Sequence, residues 1–232
     1  MIPWKQLATA QVPDGGSEMR LMQRGAEFAI KVAGNELMNS RLHGSEDALA
    51  TLVCARLKGR PAPRLLIGGL GMGFTLRAAL DALGPDAALT VAELVPEVVA
   101  WNRGVLADVA GRPLDDPRVS VREGDVTALI RAARSAYDAI LLDVDNGPEG
   151  LTRVANNRLY DLGGLEAAWA ALRPGGLLAV WSAAPDRGFT RRLRIVGFAV
   201  EEAKVRASGT GGGARHVIWL ATRPARRAAK AE

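Results

Sequence analysis

The stretch Leu65-Leu66-Ile67-Gly68-Gly69-Leu70-Gly71-Met72-Gly73 decides the fold of this chain. An apolar run ends in a cluster of glycines, and a helical pattern, Phe74 to Leu83, begins at once. Strand, glycine turn and helix in that order bring bare backbone close to a nucleotide in α/β proteins. Glycine suits the turn because it tolerates positive φ and leaves no side chain to hold a ligand away. Glu93 stands twenty residues after Gly73, at the end of a second apolar run, Leu89 to Ala92. A carboxylate at that point can accept hydrogen bonds from both hydroxyls of a ribose. The glycine spacing is G-x-G-x-G rather than the dinucleotide G-x-G-x-x-G, which turns the expectation away from nicotinamide cofactors and toward adenosyl sulfonium ligands.

Working outward, residues after 64 alternate strand and helix. Strands are predicted at 64–67, 88–92, 119–122, 138–142, 177–181, 198–205 and 216–221. The helices between them fall at 74–83, from Pro96 to Ala107, at 127–134, up to Leu172 and at 187–196. The last two strands have no helix between them and should form an antiparallel hairpin. The pattern predicts an α/β fold with a doubly wound, mostly parallel, seven-stranded sheet. The Pro174-Gly175-Gly176 triplet reads as a turn before the fifth strand. Upstream, Met19–Gln23 and Glu27–Val32 flank Arg24-Gly25 as a hairpin, and a third strand is expected near Glu36 to Ser40. Ser45 reads as the N-cap of a helix with Glu46 and Asp47 in its first turn. The domain division is therefore 1–60, a small β-region plus helix; 61–222, a nucleotide-binding domain; and 223–232, a frayed basic tail.

Composition narrows the function classes. The 232 residues are 48% hydrophobic, enough for one packed core, with a net charge of +5. The positive charge is scattered arginine without interleaved aromatics, which argues against nucleic acid as a partner. Cys54 is the single cysteine, so the chain makes no internal disulfide, and it falls on an apolar helix position. His43 and His216 are too few and too far apart for a metal site. Without an apolar run long enough for a membrane span or a secretory leader, the expected location is cytoplasmic, away from membranes.

Ligands of doubly wound sheets sit at the carboxyl ends of the strands. Gly69, Gly71 and Gly73 follow the first strand, Glu93 and Leu94 the second, and Glu123-Gly124-Asp125-Val126 the third. Asp143, Asp145 and Asn146 follow the fourth. Acidic residues thus gather on one rim of a basic protein. Glu93 suits ribose, Asp125 either caps the next helix or accepts an adenine amino group, and Asp143 with Asp145 suits binding or deprotonating a cationic amine.

These residues resemble the spermidine synthase family, the polyamine aminopropyltransferases, which share the class I methyltransferase fold. Leu65–Thr75 stands where the family has a strand ending in GGGDGG. Val91-Ala92-Glu93-Leu94 stands for V-E-I-D, and Asp116-Pro117-Arg118-Val119 with Glu123-Gly124-Asp125 for DPRV…GDA. Tyr137–Asp143 matches YDVIIVD. Leu159-Tyr160 with Leu172-Arg173-Pro174-Gly175-Gly176 matches FY…LKPGG. The resemblance implies a transferase that moves a methyl or aminopropyl group to an amine-bearing small molecule. The donor would be S-adenosylmethionine or its decarboxylated form, leaving adenosylhomocysteine or methylthioadenosine. Asp143 would be the catalytic carboxylate that orients the amine and takes its proton, with Asp145 assisting. Gly69, Gly71, Gly73, Glu93, Leu94, Asp125 and Val126 would hold the donor.

Three departures matter. Gly71 replaces an aspartate that meets the amine end of the decarboxylated donor. The second aspartate of the family's D-S-[ST]-D-P loop falls on Asn146, with Asp145 one residue earlier. The tyrosine and histidine opening the first long helix become Gly44 and Ser45, although Glu46 is retained. Loss of the anion at 71 favours the intact donor and methyl transfer over aminopropyl transfer. A non-catalytic nucleoside-binding homologue is the competing class, and the exposed edges of the N-terminal hairpin leave room for a homodimer.

Overall fold

The structure is a computed structural model that describes residues 2–13, 17–144, 157–208 and 213–225. The run Arg64–Gly68 forms β5, the strand that ends in the glycine turn. Its flanks are covered on both faces, so Leu65, Leu66 and Ile67 are all fully buried. That explains a continuous apolar run where a half-exposed strand would alternate.

Four short antiparallel strands precede it: β1 (Lys5–Gln11), β2 (Glu18–Arg24), β3 (Glu27–Val32) and β4 (Asn35–Asn39), in the order β1-β2-β3-β4. The hairpin and third strand were expected and β1 was not. In β1 only Ala10 is buried, so the strand carries almost no apolar alternation to read. Helix α1 (Gly44–Arg56) follows, then β5, α2 (Phe74–Ala82), β6 (Ala88–Glu93) and α3 (Pro96–Arg103). Next come β7 (Val119–Glu123), α4 (Val126–Ala132), β8 (Tyr137–Leu142), α5 (Asn157–Tyr160) and α6 (Leu162–Ala171). The chain closes with β9 (Leu172–Ser182), α7 (Arg187–Val196), β10 (Ala199–Arg206) and β11 (Arg215–Thr222).

The seven-stranded sheet runs β10-β11-β9-β8-β5-β6-β7. β11 is antiparallel to both its neighbours and the remaining pairs are parallel. The sheet is therefore doubly wound with a terminal antiparallel hairpin, as the strand pattern predicts. Strand order reverses between β5 and β8, which opens a crevice beyond their carboxyl ends.

Strand alternation sorts the core into two layers. Leu65, Ile67, Val91 and Leu141 pack under α1, α2 and α3, and Leu21, Phe28 and Ile30 of the N-terminal sheet join the same layer. Leu66, Ile140, Leu142 and Val180 face α4, α6 and α7. At the amino end of the sheet, buried Asp138 pairs with Arg60 at 2.9 Å and Arg173 at 2.8 Å and accepts the Arg64 N–H. This cluster ties three connections together on the side away from the crevice.

Two local expectations are corrected. The Pro174-Gly175-Gly176 triplet lies within β9 rather than before it, and Gly175 and Gly176 exchange backbone hydrogen bonds with Arg223. Arg223 is thereby held at the start of the stretch read as a tail; residues 226–232 lie outside the described residues. Ser45 is not an N-cap: α1 starts at Gly44 with His43 in the cap position and no side-chain cap.

Candidate functional site

The glycine turn is built by close approach. Gly69, Gly71 and Gly73 all have positive φ, at 87°, 53° and 86°. A Cβ on Gly69 would collide with the Asp143 carbonyl oxygen, so the ends of β5 and β8 meet where no side chain fits. The Asp143 N–H donates to Gly68 at 2.9 Å, closing that junction. A Cβ on Gly71 would lie 2.7 Å from the Met38 sulfur of β4. The Gly71 carbonyl accepts from Asn102 Nδ2 at 2.8 Å. Gly73 does a different job: it caps α2, and a Cβ there would press on Pro113.

These ends open into a cavity of about 450 Å³. Of the residues the sequence singles out, Gly69, Gly71, Glu93, Leu94, Asp125, Val126 and Asp143 are brought together on its wall. Gly73 is not on the wall, and Asp145 and Asn146 lie outside the described residues. Glu93 is 8% exposed and takes one backbone N–H on each carboxylate oxygen, from Leu70 at 2.8 Å and Val95 at 2.9 Å. Burial pushes its carboxyl pKa up, and those N–H groups pull it partly back. Leu94 and Gly71 N–H groups also act on the same carboxylate, so backbone amides orient it at the cavity wall. Asp125 caps α4 through the Thr127 N–H at 2.7 Å while standing on the rim, so the two roles left open for it are compatible.

Opposite the turn, α1 brings in Glu46, which sequence reasoning left as a helix-terminus charge. Thr75, in the first turn of α2, donates to Asp143 Oδ2 at 2.7 Å. Burial raises the Asp143 pKa, and the Thr75 hydroxyl offsets part of that. Glu46 rises from its ordinary 4.5 to about 7, first through burial and then through the negative charge of Asp143. Its hydrogen bond from Ser45 Oγ, 2.6 Å long, works against the rise. Glu46 and Asp143, both half-buried, thus repel each other, and Glu46 tends to keep its proton up to near neutrality. Such a pair can hold a cation and accept a proton. The retained Glu46 of the family motif was the available signal; nothing in local spacing joins it to Asp143.

Glu36, Glu46, Glu93, Asp125 and Asp143 put five carboxyl groups on the wall, with no lysine, arginine or histidine among the described lining residues. Met38 and Trp181 complete it, and neither was foreseen.

No family model matches the chain. Among curated proteins it is 31% identical over 164 residues to a polyamine aminopropyltransferase of Corynebacterium efficiens, covering 69% of this chain and 30% of the relative. It is 34% identical over 119 residues to putrescine N-methyltransferase 1 of Nicotiana tabacum, covering 51% and 30%. The chain thus spans about a third of the length of these relatives. Spermidine synthase from Thermotoga maritima superposes with a TM-score of 0.75 at 17% identity, over 96% of this chain and 74% of that one. An O-methyltransferase of Klebsiella pneumoniae superposes with a TM-score of 0.54 at 21% identity, over 78% and 80%. The chain is similar in sequence to the polyamine aminopropyltransferases and has the class I methyltransferase-like fold of the spermidine synthases.

Proposed function

We propose that this protein transfers an alkyl group from an adenosyl sulfonium donor to a small amine, and that the group is aminopropyl. The observation that carries this reading is the charge of the cavity: five carboxyl groups and no cationic side chain among its described lining residues. Decarboxylated S-adenosylmethionine carries a sulfonium and an ammonium and no carboxylate. Intact S-adenosylmethionine adds a carboxylate, which meets no arginine or lysine among the described residues of this wall. The expectation of methyl transfer drawn from Gly71 weighed one missing anion; the whole wall weighs five present ones.

In this reading Glu93 takes the ribose hydroxyls, Asp125 and Val126 border the adenine, and Gly69 and Gly71 let backbone lie along the donor. The amine nitrogen attacks the carbon next to sulfur. The N–C bond forms, the C–S bond breaks, and its electron pair returns to sulfur, leaving neutral methylthioadenosine. The nitrogen must attack as a free base, so Asp143 accepts its proton, and Glu46 holds that carboxylate's charge in check until the cation arrives. The sulfonium is already activated, so positioning and exclusion of water do most of the work.

A second reading, methyl transfer to an amine with adenosylhomocysteine as product, rests on Gly71 and Met38. Together they give the turn a thioether where the family has an acid. Titration calorimetry with the two donors separates the readings. We expect the decarboxylated donor to bind at least tenfold more tightly; equal or tighter binding of the intact donor refutes aminopropyl transfer. Mass spectrometry of a reaction with putrescine should show spermidine and methylthioadenosine, lost in Asp143→Asn while methylthioadenosine still binds. Binding of the nucleoside without turnover of any amine would establish the non-catalytic class instead.

A further inference from the structure

Trp181 has no place in the donor site, yet it stands at the reaction end of the cavity. In the β8–β9 register Leu142 pairs with Val180, and Asp143 and Trp181 are the next residues along each strand. Neighbouring strands are about 4.8 Å apart. Alternation sends Trp181 to the layer of Leu141 and Ala179, the side on which α1 and α2 lie. Glu46 comes from α1 and Thr75 from α2, and α1 packs on β9. The indole, the acid pair and Thr75 therefore share one face of the sheet and line one cavity.

The indole is backed rather than anchored. Ile218 of β11 pairs with Trp181, and His216, two residues earlier on the same face, lies with its ring 4.7 Å away at 30°. Trp181 Nε1 and His216 Nδ1 are both buried and without a hydrogen-bond partner among the described residues. Buried indole N–H groups ordinarily find one. Packing alone is thus a poor account of a tryptophan here, where a leucine would fill space without an orphaned donor. Burial lowers the His216 pKa, so the ring behind the indole stays uncharged and sets no cation against the cavity. A π-face beside two carboxyl groups in a partly desolvated pocket attracts ammonium and its adjoining methylenes.

We infer that Trp181 is the aromatic wall of the amine subsite, setting its ring face against the charged alkylammonium part of the acceptor while the reacting nitrogen meets Asp143. This rests on the proposed transfer to an amine and adds the residue that selects a cationic acceptor over a neutral one.

The test uses the full chain saturated with methylthioadenosine and titrated with putrescine by calorimetry. Trp181→Leu removes the ring face and Trp181→Phe retains a smaller one. We expect putrescine affinity to fall about 2- to 30-fold in Trp181→Leu, with the smaller loss in Trp181→Phe, and methylthioadenosine affinity to stay unchanged in both. Wild-type putrescine affinity in Trp181→Leu overturns the inference. So does an equal loss of methylthioadenosine affinity, which would mark a merely structural residue. If the wild-type protein binds methylthioadenosine but no putrescine, the parent reading of an amine transferase fails first, and the inference with it.

Discussion

Replacing Glu46 with glutamine should make the protein more stable at pH 8 and worse at holding an amine. The Glu46 carboxyl rises from 4.5 to about 7 in the fold. Between those values the native state binds more protons than the unfolded chain, so stability is lost as the pH rises through the window. At 1.36 kcal/mol per pKa unit, the ionised glutamate costs ~3 kcal/mol at pH 8 and less than ~1 kcal/mol at pH 5. Glutamine fills the same space, keeps an oxygen for the Ser45 hydroxyl and never ionises. Urea denaturation at both pH values reads the difference directly. The variant should gain up to ~3 kcal/mol at pH 8, roughly 6–12 °C in Tm for a chain of this size, and little at pH 5. With one negative charge removed, putrescine affinity should fall at least tenfold at pH 8. A variant no more stable than wild type at pH 8, or equally stabilised at both pH values, would refute the desolvated acid pair.

Three further outcomes follow from the same geometry. Gly69→Ala places a Cβ against the Asp143 carbonyl at φ 87°; it should cost ~1–3 kcal/mol in denaturant melts and weaken methylthioadenosine binding by calorimetry. Gly71→Asp faces only the mobile end of Met38, and aspartate tolerates the left-handed region, so stability should change by less than ~1 kcal/mol while affinity for the decarboxylated donor rises relative to the intact one. Asp138→Ala strands Arg60 and Arg173, which still reach water; it should cost about 3 kcal/mol and leave methylthioadenosine affinity untouched, because Asp138 lies at the far end of the sheet.

What could be read in advance was whatever chain order dictates. β5 announces itself by its apolar run, and the glycines by where that run stops. Glu93 and Asp143 are found by asking which residue follows each strand, because the fold puts all strand ends on one edge. Glu46, Met38 and Trp181 escaped because their places depend on which face of another element meets the cavity. Glu46 sits in the first turn of α1, where acids have an ordinary explanation in the helix dipole. Trp181 reads as one more core position of an apolar strand, and only the register beside Asp143 separates it from Ala179. Gly73 looked like its two neighbours, yet its left-handed cap conformation and the packing against Pro113, not ligand approach, demand it. Ser45 had the composition of a cap, but α1 begins one residue earlier and turns its hydroxyl onto Glu46.

The cavity has two builders, and they are coupled differently. The half proposed to hold the donor is built mainly at the strand ends: Gly69 touches the Asp143 backbone, Asp143 is tied to Gly68, and Glu93 clamps Leu70 and Val95. None of these can shift without moving the others, which suits a displacement whose attacking and leaving atoms must stay aligned within a few tenths of an ångström. The other half comes from β4 and α1, through Met38 and Glu46; Met38 stands where a Cβ on Gly71 would reach, and the Thr75 hydroxyl of α2 lies between the Glu46 carbonyl, at 3.4 Å, and Asp143, at 2.7 Å. Under the proposed function, changes there would alter charge and shape around the acceptor without disturbing the donor frame. The departures at Gly44, Ser45 and Gly71 lie along that second seam. They leave Glu93 and Asp143 in place, so under the proposed function the divergence of this chain falls on the choice of acceptor and donor tail and spares the nucleoside.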